Sequence, residues 1–404
     1  MQALLDSQQG ALNKLSPLKV GALFKRPGTG KSRTAIELIR SVKKVEQVIW
    51  LAPFRSVNPT IEGSGIIDEV NKWGGFEVPT HFVGIESLSN SDRIYLQLIR
   101  LVESRSTFLV CDESLKIKNS DAKRTKRIIE LGKLCQYKLI LNGTPISRNL
   151  LDVWAQMQFL SPKILNMQEA EFKNTFCEYT KITKMFGNKR WSREFITKYH
   201  NIDYLYSLIR PYVYEADLQL EVNQQHIDIY YKIEEEIVKE YEYIKAMYLD
   251  NEKLQAMNNN IFLEMTMKMQ HLYCCASEKF EVTKRIIQEH GADNVVIFCK
   301  FVESRLACIK YFPSVTVLSI QSDSSSINLQ SKHVTIEWDK TWDFACVDQY
   351  RHRTYRVGQT HTCYYYYLNG SVKLEGLMKA NNEKKQWQLE YFKSITKEEL
   401  KEVL

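Results

Sequence analysis

The chain has 404 residues, 44% of them hydrophobic and 25% charged, with a formal charge of +7 at neutral pH. These are the proportions of an ordinary folded protein with room for two or three domains, and they exclude a collagen-like or low-complexity chain. No run of 18 apolar residues occurs, and the opening "MQALLDSQQGALNKL" lacks the order of a secretory leader, so a soluble, cytoplasmic protein is expected.

Along the chain, the first strong signal is "VGALFKRPGTGKSRTAIELIRSV". An apolar run from Val20 to Phe24 leads into Gly28-Thr29-Gly30-Lys31-Ser32, then into a helical pattern of Ala35, Ile36, Leu38 and Ile39. Strand, glycine loop and helix are what a phosphate cradle requires. The glycines let backbone N–H groups approach phosphate oxygens, and the helix N-terminus adds partial positive charge. In that role Lys31 reaches the β- and γ-phosphates and the Ser32 hydroxyl ligates Mg²⁺. The strict pattern has glycine six positions before the lysine, where this chain has Lys25, so the loop taken alone is an imperfect match.

The next is "STFLVCDESLKIKN", a buried strand from Phe108 to Cys111 that ends in Asp112-Glu113. Parallel α/β sheets place ligand chemistry at such strand ends. There Asp112 is expected to hold Mg²⁺ and Glu113 to orient or deprotonate an attacking water. A third strand, Lys138 to Leu141, ends in the small polar turn Asn142-Gly143-Thr144-Pro145. The helix after it, with Leu150, Leu151, Val153, Trp154, Met157 and Leu160, reads as core.

Basic residues gather in "KRTKR" (123–127) and in "KITKMFGNKRWSREFITK" (181–198), where Phe186 and Trp191 interleave with the cations. The second stretch fits either an element that grips nucleic acid or a solvated basic surface. Residues 226–290 read as long helices whose Met and Tyr positions are core, and "CYYYYL" (363–368) reads as a buried strand. Nine cysteines without a C-x-x-C pair indicate reduced thiols in apolar strands, and their spacing argues against a zinc site. Near the end, "YRHRTYRVGQT" sets Arg353 and Arg356 three apart on one helical face, an arrangement suited to phosphate because the guanidinium fork engages oxygens in pairs.

These segments, in this order, resemble helicase superfamily 2, and within it the Swi/Snf-type double-stranded-DNA translocases in a compact, prokaryotic or phage-like form. "LDSQQGALNKL" looks like the adenine-reading glutamine motif, with Gln8 at the glutamine, and "RPGTGKS" matches a phosphate loop that in this family tends to lack the first glycine. "VIWLAPFRSV" and "VGIESL" resemble nucleic-acid-contacting strand ends, "DESLKIKN" matches Asp-Glu-x-x-x-Ile-Lys-Asn, and "LNGTPISRN" resembles the coupling turn, with Asn142 where threonine is usual. "VLSIQSDSSSINLQ" resembles the fifth motif, and Gln349, Arg353, Arg356, Gly358 and Gln359 fill every fixed position of Gln-x-x-x-Arg-x-x-Arg-x-Gly-Gln.

The resemblance implies an α/β fold of two tandem RecA-like lobes with helical insertions, the second lobe trimmed. It divides the chain into lobe 1 (1–162), a helical and basic protrusion with linker (163–225), a helical segment (226–290) and lobe 2 (291–404). It implies a DNA-stimulated ATPase using ATP and Mg²⁺, acting in DNA replication, recombination or repair. ATP would be held by Gln8, Gly28, Thr29, Gly30, Lys31 and Ser32, Mg²⁺ by Ser32 and Asp112, with Glu113, Arg353 and Arg356 catalytic. Gly143, Thr144 and Gln349 would couple hydrolysis to movement. Arg55, Ser87, Ser325, Lys189 and Arg190 would face double-stranded DNA, blunt or forked. A strand-separating helicase and a low-turnover clamp that needs a protein partner are the competing expectations.

Overall fold

The computed structural model describes residues 3–26, 28–59, 63, 65–143, 150–186, 189–216, 222–249, 259–320, 329, 331–356 and 359–394. Its first lobe carries a six-stranded sheet built from β1 (Val20–Lys25), β2 (Gln47–Ala52), β3 (Thr80–Gly84), β4 (Thr107–Asp112), β5 (Tyr137–Asn142) and β8 (Val213–Ala216). The strands run in the order β3-β2-β4-β5-β1-β8, and every pairing is parallel. Helices cover both faces, so each strand is a near-continuous apolar run. Alternate residues feed opposite cores: Ala22, Phe24, Ile49, Leu51, Leu109 and Cys111 on one side, Leu23, Val48, Trp50, Phe108 and Val110 on the other. Each fully buried side chain of this size contributes roughly 1.5–3 kcal/mol, which is why the sheet is the rigid part that positions the loops at its edge.

Between β5 and β8, Cys177–Phe186 (β6) and Lys189–Tyr199 (β7) pair as an antiparallel ribbon. This differs from the helical protrusion expected there. The local sequence favours the ribbon: β-branched and aromatic residues alternate with polar ones on either side of the dipeptide Gly187-Asn188, a two-residue spacing that suits a hairpin. The ribbon is rooted in the lobe, with Cys177, Tyr179, Ile196 and Tyr199 packed against its core.

The second lobe has a five-stranded, all-parallel sheet in the order β11-β10-β12-β13-β9, formed by β9 (Gln224–Tyr231), β10 (Val295–Cys299), β11 (Thr316–Ser319), β12 (Val334–Glu337) and β13 (Cys363–Gly370). The tyrosine run is the buried strand read from the sequence. Residues 224–231, expected as linker and helix, instead form an edge strand, because Ile227, Ile229 and Tyr231 alternate with polar neighbours and pair along the whole of β13. The first lobe's sheet likewise takes its last strand from 213–216, well past residue 162. Among the described residues no helix is long and apolar enough to cross a membrane.

Candidate active site in the cleft between the lobes

The loop after β1 rises into the helix Lys31–Arg40. Gly28 and Gly30 both take left-handed conformations, φ 84° and 74°. A Cβ on Gly30 would run into Gln8 Nε2, and one on Gly28 would lie 3.1 Å from Arg356 Cγ. The backbone angle calls for glycine at both positions. The helix has no side-chain cap, which leaves its first-turn N–H groups for an anion. Gln8 is buried against this loop: its Oε1 accepts from the Leu5 N–H at 3.0 Å and its Nε2 donates to the Gly30 carbonyl at 3.5 Å.

Lys31 lies among charges from both lobes. Burial lowers its pKa, the Glu113 and Asp112 carboxylates oppose that, Arg353 adds to it, and Asp348 opposes it again. At the end of β4, Asp112 Oδ1 accepts from the Glu113 N–H at 2.9 Å. Burial and the neighbouring Glu113 push the Asp112 carboxyl up, while Lys31 pulls it down. Glu113 itself is held in a left-handed backbone conformation, φ 51° and ψ 54°. Such strain costs on the order of 1–3 kcal/mol and is retained where the surrounding structure holds it.

The second lobe supplies the facing wall from the helix Phe344–Thr354. Gln349 Nε2 donates across the cleft to Glu113 Oε2 at 2.9 Å. Arg353 is buried; desolvation and Arg356 push it down to about 10, with Glu113 and Asp112 opposing. Arg356 is also lowered by burial, and Glu69 of the first lobe opposes that shift. His352 bonds within its own helix, its Nδ1 2.7 Å from the Asp348 carbonyl oxygen, so it packs rather than faces the cleft chemistry.

A buried polar chain leaves the site through the turn after Glu113. Asn142 Nδ2 donates to Ser114 Oγ at 3.4 Å, Ser114 Oγ donates to Gln156 Oε1 at 2.6 Å, and Asn142 Oδ1 accepts from the Gly143 N–H at 2.8 Å. The end of β5 is thereby tied to Ser114, the residue that follows Glu113. Thr144 and Ser325 lie outside the described residues, as does Gly358.

The residues expected to face nucleic acid fall in two places. Arg55 is exposed on the short helix Phe54–Val57 after β2, and Ser87 opens the helix Ser87–Asn90 after β3. Glu86 joins these two, accepting from the Phe54 N–H at 2.8 Å and pairing with Lys116 at 3.3 Å. Lys189 and Arg190 begin β7, opposite Phe186 and Met185 in the ribbon. The structure thus brings Gln8, Gly28, Gly30, Lys31, Asp112, Glu113, Gln349, Arg353 and Arg356 to one cleft and sets Arg55 and Ser87 on a neighbouring rim.

Three charged groups were not singled out from the sequence. Lys25, at the position of the missing glycine, is wholly buried beneath the loop, with Nζ 3.5 Å from the Ser7 carbonyl oxygen and 3.4 Å from Thr34 Oγ1. Asp348 and Glu69 interact electrostatically across the cleft with Lys31 and Arg356.

Residues 80–290 match the profile of the SNF2-related domain. An uncharacterized ATP-dependent helicase of Mycoplasma genitalium is 25% identical over 336 residues, covering 72% of this chain and 32% of that protein. The chromatin-remodeling ATPase INO80 of Arabidopsis thaliana is 23% identical over 240 residues, 53% of this chain and 14% of that protein. The chain spans a third or less of the length of these relatives. Among solved structures it is similar to the Sulfolobus solfataricus SWI2/SNF2 ATPase core in complex with double-stranded DNA, at 18% identity and a TM-score of 0.43, covering 98% of this chain and 97% of that one.

Proposed function

This chain belongs to the SNF2-related family, and we propose that it is an ATPase of helicase superfamily 2 that translocates on double-stranded DNA without separating the strands. The observation that carries the reading is the hydrogen bond from Gln349 of the second lobe to Glu113 of the first. It puts Arg353 and Arg356 beside the carboxylates and lysine of the phosphate loop, the arrangement a cleft needs if closure is to complete the catalytic set.

The residues present fit a triphosphate with Mg²⁺. Two left-handed glycines keep the loop open for it, the uncapped helix start offers N–H donors, and Lys31 is a half-buried cation. In this reading Ser32 and Asp112 hold Mg²⁺, which neutralises phosphate charge when bound. Glu113 orients and deprotonates the attacking water, and Gln349 holds the Glu113 carboxylate in place from the opposite lobe. Lys31 and the two arginines meet the charge that develops on the transferred group. Gln8 anchors the loop at the adenine side. The Ser114–Asn142–Gly143 chain transmits closure from Glu113 to the strand end, while Arg55, Ser87 and the basic ribbon hold the DNA backbone through phosphate contacts. A role in replication, recombination or repair follows from the same reading.

Strand separation is a second reading with its own observation, the antiparallel ribbon 177–199, a shape that can wedge a fork. One experiment separates the two. Steady-state ATP hydrolysis is measured with no DNA, blunt duplex, single strands and forks, alongside Arg356→Ala. Translocation on duplex predicts strong stimulation by blunt duplex, falling by about 10³ or more in the variant. Preference for forks together with release of a displaced strand supports the second reading. Hydrolysis that stays at background with every DNA overturns both.

A further inference from the structure

Away from the cleft, the second lobe brings a histidine, a thiol and a carboxylate to one point. His271 lies in the last turn of the helix Asn259–Leu272, Cys274 follows in the turn after it, and Glu303 stands in the first turn of the helix Val302–Tyr311. Their ligand atoms all lie within 4.8 Å of one another, and His271 Nε2 is 3.1 Å from Glu303 Oε2. The cluster sits just past the C-terminal end of β10, where parallel sheets place bound ligands.

We propose that His271, Cys274 and Glu303 form a three-ligand site for a soft divalent metal of the zinc class, with a fourth position open to water. The donor set decides the class: a thiolate with an imidazole and a carboxylate selects zinc-like ions over Mg²⁺ or Ca²⁺, which take oxygen ligands. The charges also match, since one thiolate and one carboxylate offset two positive charges beside a neutral imidazole. On binding, the Cys274 thiol gives its proton to solvent as the sulfur–metal bond forms.

Two features hold the site in place before any metal arrives. The Cys274 carbonyl accepts from Trp338 Nε1 at 2.8 Å and from Lys279 Nζ at 3.5 Å, so the turn is pinned from below by buried donors. The His271 ring packs edge-on against Phe301, 5.1 Å between centroids, which limits its rotation. A surface ion pair alone between His271 and Glu303 would need neither feature and would contribute little. The spacing argument against zinc does not reach this site, because its ligands come from two helices and a turn rather than from one knuckle. A bound metal would tie the end of one helix to the start of another.

The test uses the full chain, stripped with chelator and titrated with Co²⁺. The proposal expects a near-ultraviolet thiolate-to-cobalt absorption and visible bands of tetrahedral type that saturate at one equivalent and are displaced by Zn²⁺. His271→Ala and Glu303→Gln, both exposed and safe for folding, are expected to lose the tetrahedral bands. Cys275 is the neighbouring thiol, its Sγ 3.8 Å from Cys274 Sγ and outside the ligand set, so Cys274→Ser should lose the thiolate absorption and Cys275→Ser should keep it. Zn²⁺ should raise the thermal midpoint of the wild type and leave that of His271→Ala unchanged. No thiolate absorption at any Co²⁺ excess would reduce the cluster to an ion pair beside a thiol. Absorption that survives in Cys274→Ser, or vanishes in Cys275→Ser, would overturn this ligand set.

Discussion

Lys25 is a lysine with no exposed surface, held by two long hydrogen bonds, and none of the described carboxylates forms an ion pair with it. Burial, and then the charge of Lys31, push its pKa down from 10.5 to about 8. Below pH 8 the folded and unfolded chains both carry the proton, and the cost of burying the charge is felt in full. Between pH 8 and 10.5 the unfolded chain binds more protons than the folded one, so this residue makes stability rise with pH. Lys25→Met removes the charge at nearly the same volume. After allowing for the loss of its hydrogen bonds, it should stabilise the protein by about 1–2 kcal/mol at pH 7, a gain that fades toward pH 10. Urea denaturation at the two pH values checks this, and a difference that does not change with pH would refute it. Gln349 belongs to the same scale but to the proposed chemistry. Gln349→Ala removes the group that fixes Glu113 from the far lobe while leaving the phosphate loop whole. It should lower kcat by about 10²-fold with KM for ATP changed little, because only the transition-state arrangement is disturbed. A raised KM with normal kcat would instead make Gln349 a binding residue.

Among the elements, the ribbon of β6 and β7 is the one whose contribution can be removed cleanly. Its root packs on the first lobe through Cys177, Tyr179, Ile196 and Tyr199. Its outer part, from Lys181 to Glu194, holds five cations, and Lys184 pairs with Trp191 and Phe186 with Lys189 across the strands. Cutting back to the Thr180–Phe195 pair and closing with Asn-Gly preserves the register. Basal ATP hydrolysis should survive, while duplex affinity falls at least ~10-fold and its dependence on salt becomes shallower by roughly 0.9 for each phosphate that the ribbon had neutralised. An unchanged salt slope would mean that the ribbon carries no DNA. The elements also show what could be read before folding. β1, β4 and β5 were legible because strands buried on both faces are unbroken apolar runs that end abruptly in Gly, Asp-Glu or Asn-Gly. The ribbon was not, since its own alternation and Gly187-Asn188 were outweighed by a resemblance to helical protrusions. β9 was hidden because "HIDIYY" runs without a break into a helical pattern. Lys25 showed only as a missing glycine, and Glu69 and Asp348 gained their roles from lobe placement, which no local pattern encodes.

At the scale of the whole molecule, the contacts that join the two lobes among the described residues gather at the site. Gln349 donates to Glu113, the Arg356 side chain covers Gly28, and charge pairs link Asp348 to Lys31 and Glu69 to Arg356. Apart from the aliphatic part of Arg356 over Gly28, these contacts are polar and lie at the site itself, so in the proposed function closure and catalysis rest on the same few groups. An interface of this kind is weak enough to open on each cycle, as interdomain contacts without an apolar core generally are. Nucleotide should add to it, because a triphosphate gives Lys31, Arg353 and Arg356 one shared partner and relieves their mutual repulsion. Small-angle scattering on the full chain can follow this. Wild type should be compact with or without a non-hydrolysable ATP analogue. Gln349→Ala should show a larger radius of gyration alone and return to the wild-type value with the analogue, since the variant loses one strut while the nucleotide supplies another. Arg353→Ala and Arg356→Ala together should expand the chain and leave the analogue unable to close it. If the double variant closes on nucleotide as well as wild type does, the arginines are not what the second lobe uses to hold ATP, and closure must come from elsewhere in the cleft.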